Sequence, residues 1–286
     1  MVSERRPRPC SLPVQEMADG CLLAMVIPVF NDQPGLRASL DSLRAARRPA
    51  GMITIVVDDG SASPVAAVDG DQGIGLTIVR LGENQGIERA LNAGLAEARR
   101  CGAKYIARLD AGDTIAPERL DSQIQVLEQN PDIGLVGSSA RFVDETGRCL
   151  FVFRAPETDA AIRRRMHINS CILHPTAMLR ESVLARVGDY STDYPAAEDY
   201  EFFCRVLGHC KAACLPDALV TKVLSAGSIS RLRRRTQLAS RLRIQWRFFD
   251  KQELASHLGL ALTLALFLIP ERLVLALKRF LGHSRY

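Results

Sequence analysis

Residues 108–114 read Arg-Leu-Asp-Ala-Gly-Asp-Thr. Two carboxylates, Asp110 and Asp113, stand three positions apart at the end of the apolar run 104–109. A β-turn brings residues i and i+3 within about 7 Å, and glycine at i+2 admits the positive φ of a type II turn. The pair can thus close on one cation. The same spelling also makes a plain turn, with Asp113 or Thr114 capping a following helix. Two more polar clusters end apolar runs: Asn31-Asp32, and Asp58-Asp59-Gly60-Ser61. Asp58 either fixes the turn through Asx-type bonds or touches a ligand. Glu198 and Asp199 open an amphipathic segment, where a helix dipole favours negative charge.

The elements that must position these groups alternate. Apolar runs at 22–29, 52–58, 76–81 and 104–109 have strand length and β-branched content. Between them, 36–46 and 86–100 carry apolar residues at helical spacing, and 116–130 reads as a helix with Pro117 in its first turn. Strands linked by helices predict an α/β fold with a mostly parallel sheet covered on both faces. Ligands of such sheets bind beyond the carboxyl ends of the strands, where the three clusters converge. Farther on, 133–153 reads as strands around an Asp144–Gly147 turn, 171–188 leads into a helix, and 196–208 is a helix with acids in its first turn. Residues 1–20, rich in Pro and Arg, read as a flexible lead-in.

The chain has 286 residues, 47% hydrophobic and 24% charged, enough for a substantial core. Its eight cysteines form no Cys-x-x-Cys pair and no secretory h-region precedes them, so they read as reduced thiols of a cytosolic protein. No P-loop and no dinucleotide fingerprint is spelled out. The net charge of +5 is uneven. Residues 222–286 hold thirteen Lys or Arg against three acids, whereas the rest is slightly acidic. A basic tail of this kind suits an anionic surface or forms a solvated helix face. No nucleic-acid reading module accompanies it.

Five stretches occur in order: VIPVFN at 26–31, VVDDGS at 56–61, ENQGIERALNAGL at 83–95, ARLDAGD at 107–113 and AEDYEF at 197–202. With PERLDSQ at 117–123 and HPTAMLR at 174–180, they resemble the family 2 glycosyltransferases, inverting enzymes of GT-A fold, and in particular their bacterial cell-surface polysaccharide members. The resemblance covers roughly 22–230 and implies a Rossmann-like nucleotide-sugar-binding domain. It gives Pro28 and Phe30 to the nucleotide base, Asp59 to the uracil N3–H, and Asn84 and Gly86 to the loop beside the diphosphate. It makes Asp110 the start of a motif for Mg²⁺ or Mn²⁺, which suit oxygen ligands. The turn at Gly112 brings in Asp113 as the second ligand, or the metal binds through Asp110 with phosphates and waters. Asp199 matches the general base, with Glu198 beside it. His174 falls in a matching motif, or is simply a satisfied polar residue near a strand end. The alternative for Asp199 is a helix-start acid stabilised by the dipole.

Two departures stand out. The family usually spells Asp-x-Asp-Asp where this chain has Asp-Ala-Gly-Asp, and relatives carry Arg-x-His where it has Lys222 and Leu224. The expected function is inverting transfer from a nucleotide diphosphate sugar to a hydroxyl of a glycan or lipid-linked acceptor. The alternative is a non-catalytic nucleotide-sugar binder or scaffold. The expected organisation is a lead-in (1–20), a catalytic domain (21–230) and a basic, apolar helical tail (231–286). An apolar run at 258–269 is interrupted by Pro270-Glu271-Arg272 before 273–281, short of the roughly 20 residues a span needs. Residues 231–281 are therefore expected to lie on the inner face of the cell membrane without crossing it, or to pack on protein as a hairpin.

Overall fold

The computed structural model describes residues 22–65, 73–224 and 234–269. The expected lead-in and the 270–281 part of the tail lie outside these residues. Strand β1 (Leu23–Val29) is followed by α1 (Gln33–Ala45), β2 (Met52–Asp58), β3 (Leu76–Arg80), α2 (Ile87–Arg100) and β4 (Tyr105–Arg108). Then come β5 (Thr114–Ile115), α3 (Arg119–Gln129), β6 (Ile133–Val143), β7 (Cys149–Phe153) and α4 (Asp159–Met166). A 3₁₀ turn at His174–Thr176 precedes β8 (Met178–Arg180), α5 (Glu181–Val187), α6 (Glu198–Leu207) and β9 (Lys211–Val223). Helices α7 (Arg234–Arg247) and α8 (Leu254–Leu268) complete the described chain.

The strands form one sheet in the order β3-β2-β1-β4-β8-β6-β9-β5, with β7 paired to β6. Strands β1, β2, β3, β4, β6 and β9 run one way; β5, β7 and β8 oppose them. The unbroken apolar run of β1 follows from burial on both faces. Ala24 and Val26 pack with Ala90 and Leu91 of α2. Leu23, Met25, Ile27 and Val29 pack with Leu36, Leu40 and Leu43 of α1 on the other side. Pro28 is tolerated in this central strand because of its position. The carbonyl of Val26 turns toward Leu109 and that of Val29 toward Asp59. By alternation the missing N–H of Pro28 falls on the β4 side, past the last β1–β4 pair at Val26–Arg108.

Helix α3 starts at Arg119, later than 116, and its motif explains itself structurally. Arg119, fully buried, donates to the Arg108 carbonyl (2.9 Å) and to Gln123 Oε1 (3.0 Å). Gln123 in turn donates to the carbonyls of Val136 and Thr176. These bonds hold the end of β4, which carries the acidic turn, against β6 and the 3₁₀ turn. The tail packs as a hairpin on the body. Ser240 donates to the Pro195 carbonyl, Arg241 to that of Ile168 and Arg243 to that of Asp193.

Candidate active site

The three polar clusters meet at the carboxyl edge of the parallel strands. The Asn31 N–H donates to Ser61 Oγ, and Asn31 Oδ1 accepts from the Ala62 N–H, both at 2.9 Å, tying the β1 end to the β2 end. Ser39 of α1 ties in the β4 end. Its hydroxyl accepts from the Gly112 N–H (3.0 Å) and donates to the Asp113 carbonyl (2.7 Å).

Asp58 is fully buried and structural. It accepts from the Ser61 and Val65 N–H groups and from Arg80 at 2.9 Å. Burial works against its ionised form, but these donors outweigh it and hold the carboxyl below its ordinary range. Asp59 accepts from the N–H groups of Gln85 (2.8 Å) and Gly86 (3.0 Å), fastening the β2 end to the loop before α2. Phe30 stands exposed at this edge and Asn84 is exposed, whereas Pro28 is buried inside β1. The first two are open to a ligand; Pro28 is not.

The 110–113 segment is the β-turn its spelling predicts. Asp113 N–H donates to the Asp110 carbonyl at 3.1 Å, and Gly112 has φ of +92°, as a type II turn requires. The two carboxylates do come together, and a lysine joins them. Lys222 Nζ, on β9, lies 2.9 Å from Asp110 Oδ2 and 3.1 Å from Asp113 Oδ2. Arg108 reaches Asp110 Oδ1 at 2.8 Å, an ion contact without hydrogen-bond alignment, and leaves its buried Nε and Nη1 without hydrogen-bond partners. Burial acts against ionisation of Asp110, but Arg108 and Lys222 prevail and hold it well below the carboxylate range. Burial and the charge of Asp110 push Asp113 up, to about 7. A divalent ion needs several oxygen ligands at short range. Here the oxygens that would supply them face an ammonium and a guanidinium. Among the described residues no group of three or more His, Cys, Asp or Glu side chains is arranged to hold a metal ion. This donor set does not fit a divalent cation.

Glu198 and Asp199 begin α6, entered through Ala196 at φ +61°. Such a value is uncommon for a residue with a side chain and marks backbone strain held by its surroundings. The Asp199 carboxylate accepts from the Tyr200 N–H at 2.7 Å. A helix start should lower its pKa, yet burial wins and raises it, with Asp110 adding repulsion and Arg108 opposing. Burial and the charge of Asp199 push Glu198 up to about 8, and its buried Oε2 has no partner. His174 is buried against Tyr190, with Nε2 and the hydroxyl 2.8 Å apart. Burial, then Arg108 and Lys222, keep this imidazole neutral. Arg108 thus acts electrostatically on Asp110, Asp113, His174, Glu198 and Asp199, which gathers them into one site. The sequence reading omitted Arg108, Ser39 and Tyr190. An arginine inside the apolar run 104–109 was a signal for the first, since buried strands rarely carry charge.

The match with known proteins is broad. The model for "Glycosyl transferase family 2" matches residues 24–188. The amylovoran biosynthesis glycosyltransferase AmsE of Erwinia amylovora is 30% identical over 205 residues, 70% of this chain and 75% of that protein. The Escherichia coli O-antigen biosynthesis glycosyltransferase WbnJ is 30% identical over 111 residues, 39% of this chain and 42% of that one. Among solved structures, S. aureus TarS 1–349 in complex with UDP-GlcNAc has a TM-score of 0.68 at 19% identity, covering 85% of this chain and 71% of that chain. The mannosyltransferase PcManGT of Pyrobaculum calidifontis, in complex with GDP-Man and Mn²⁺, has a TM-score of 0.61 at 16% identity, covering 94% and 82%. The fold is that of the GT-A enzymes.

Proposed function

The chain belongs to glycosyl transferase family 2, and from that premise we propose that it transfers a sugar, with inversion, from a nucleotide diphosphate sugar to an acceptor hydroxyl during synthesis of a cell-surface polysaccharide. One juxtaposition carries the reading: Asp199 at the start of α6 beside the charged cluster of Arg108, Asp110 and Lys222. In the step, the acceptor oxygen bonds to the anomeric carbon as the bond to the diphosphate breaks. The electron pair leaves with the diphosphate, and the hydroxyl proton passes to Asp199. Glu198, pushed up to about 8, keeps its proton at neutral pH and leaves Asp199 as the member able to accept one. Phe30 offers an exposed ring for the base. Asp59 still has free lone pairs for a base N–H, and Asn84 and Gly86 flank the diphosphate. A divalent cation, which the motif resemblance implies, has no part in this step because its expected ligands are already paired.

We take 21–230 as the catalytic unit and 231–286 as a tail that rests on the inner face of the cell membrane. Support comes from α8, whose large apolar side chains, among them Leu254, Leu258 and Leu262, face outward. No helix among the described residues is long and apolar enough to cross a membrane.

The test is a panel of UDP- and GDP-sugars against the full-length chain. A true donor at 100 times its Kd adds about 2.7 kcal/mol of stability, and the product formed from an α-linked donor should be β-linked by NMR. An α-linked product overturns inversion. A donor that binds without turnover with any glycan or lipid-linked acceptor favours the non-catalytic scaffold.

A further inference from the structure

Three features of the charged cluster point the same way. The middle acid of the usual metal motif is replaced by Gly112, whose φ of +92° suits glycine alone. The late histidine is replaced by Leu224, which packs half-buried against the apolar core and donates its N–H to the Val143 carbonyl of β6. Two residues before it, Lys222 spans the carboxylates that remain, at 2.9 and 3.1 Å. Ligands are absent at two positions, and a fixed positive charge stands between the acids.

We propose that Lys222, with Arg108, takes the place of the divalent cation, so that donor binding and transfer by this chain require no divalent metal. The inference rests on the glycosyltransferase reading above. Charge supports it. With both acids ionised, Asp110, Asp113, Arg108 and Lys222 sum to zero. A divalent ion in the place of the ammonium would leave the cluster with an excess positive charge. Donor geometry supports it too. An ammonium has three N–H donors, and Asp110 and Asp113 occupy two of those of Lys222. One remains for an oxygen of the diphosphate. Arg108 is 6% exposed; its Nη1 stands against Asp110 without hydrogen-bond alignment and its Nε has no hydrogen-bond partner. A buried guanidinium that is not fully satisfied gains from a further anionic group nearby. As the bond from the anomeric carbon to the diphosphate breaks, the electron pair goes to a phosphate oxygen. These cations stabilise the charge that gathers there, as positioned Arg and Lys do for transferring phosphoryl groups.

Two measurements test this on the full-length chain. The first uses Mn²⁺ alone, followed by electron paramagnetic resonance, and needs no donor. Wild type should leave the ion free at micromolar concentrations. Lys222→Met, of similar shape but uncharged, should expose two carboxylates and acquire a Mn²⁺ site that a further Asp110→Asn change removes. The second compares calorimetric binding of UDP and GDP, and turnover of the donor, in EDTA and in Mn²⁺. Affinity and rate should agree between the buffers, and Lys222→Met should lose about tenfold or more in EDTA and recover in Mn²⁺. One tight Mn²⁺ per wild-type chain, lost in Asp110→Asn, overturns the proposal. So does a tenfold fall of nucleotide binding in EDTA, or a folded Lys222→Met that gains no Mn²⁺. If no nucleotide binds in either buffer, the glycosyltransferase reading fails, while the Mn²⁺ titration still decides the role of Lys222.

Discussion

Gly112 cannot be changed to restore the usual acidic spelling without cost. At φ of +92° a side chain is strained, and its Cβ would lie 3.7 Å from Asp32 Oδ2, so an added carboxylate also meets like charge. Gly112→Asp should destabilise by about 1–2 kcal/mol from the backbone alone, seen as a lower Tm, and should not raise activity. Asp199→Asn keeps shape and removes basicity. Transfer should fall roughly 10²–10⁴-fold while donor affinity holds. Transfer near the wild-type rate would move the base elsewhere. The pH profile follows from the same group. Burial raises the Asp199 pKa, and a base works only when deprotonated. The acid limb of kcat/KM should therefore lie above the ordinary carboxylate range, with the rate falling as pH drops through it. The Asp110–Asp113 turn was legible because its chemistry is local: four residues and one glycine decide it. In the sequence Lys222 is only a departure from the relatives' Arg-x-His. Its partner Asp110 lies 112 residues away, a distance no local pattern reports.

At the scale of elements, the parallel half of the sheet was legible because its strands are continuous apolar runs separated by amphipathic helices. The other half was not. Strand β5 has two residues and β8 three, below any periodicity. Strand β9 hides behind Pro216-Asp217, which reads as a turn. In the sheet its pairing with β6 jumps from Ser138–Leu215 to Ser139–Ala218, and those two residues fall in the bulge. Beyond the bulge β9 delivers Lys222 to the acids. The turn it meets is held by α1 through Ser39, fully buried with bonds to Gly112 and Asp113. Ser39→Ala should leave the half-buried Gly112 N–H without its acceptor and the Asp113 carbonyl without its donor, and cost about 1–3 kcal/mol. Urea denaturation measures the loss, and donor affinity should fall with it because the turn positions both carboxylates. Unchanged affinity in a folded Ser39→Ala protein would show that the turn holds itself.

At the scale of the whole molecule, α8 is inverted relative to a surface helix. Its small side, Ala255, Ser256, Gly259 and Thr263, is buried. A Cβ at Gly259 would overlap the His167 carbonyl, so the helix lies directly on that backbone. Its large side chains, Leu254, Leu258, Leu262, Leu264, Phe267 and Leu268, face outward, with Trp246 of α7 exposed alongside. The arginines expected to seek an anionic surface are largely engaged with protein: Arg234, Arg241, Arg243 and Arg247 all bond to chain atoms. The contact with lipid should therefore be chiefly apolar. In vesicle co-sedimentation the wild type should bind neutral lipid, and high salt should weaken it little, because salt screens exposed charge and not apolar burial. A Leu258→Glu, Leu262→Glu double variant should stay in solution with its fold intact. Equal sedimentation of the two would assign the face to another partner. The tight seat of α8 on His167 carries one more consequence. On the membrane reading proposed above, a helix seated directly on that backbone fixes the height of the catalytic edge above the lipid plane. The proposed transfer should then favour acceptor hydroxyls at that height over those nearer the lipid or farther along a grown chain.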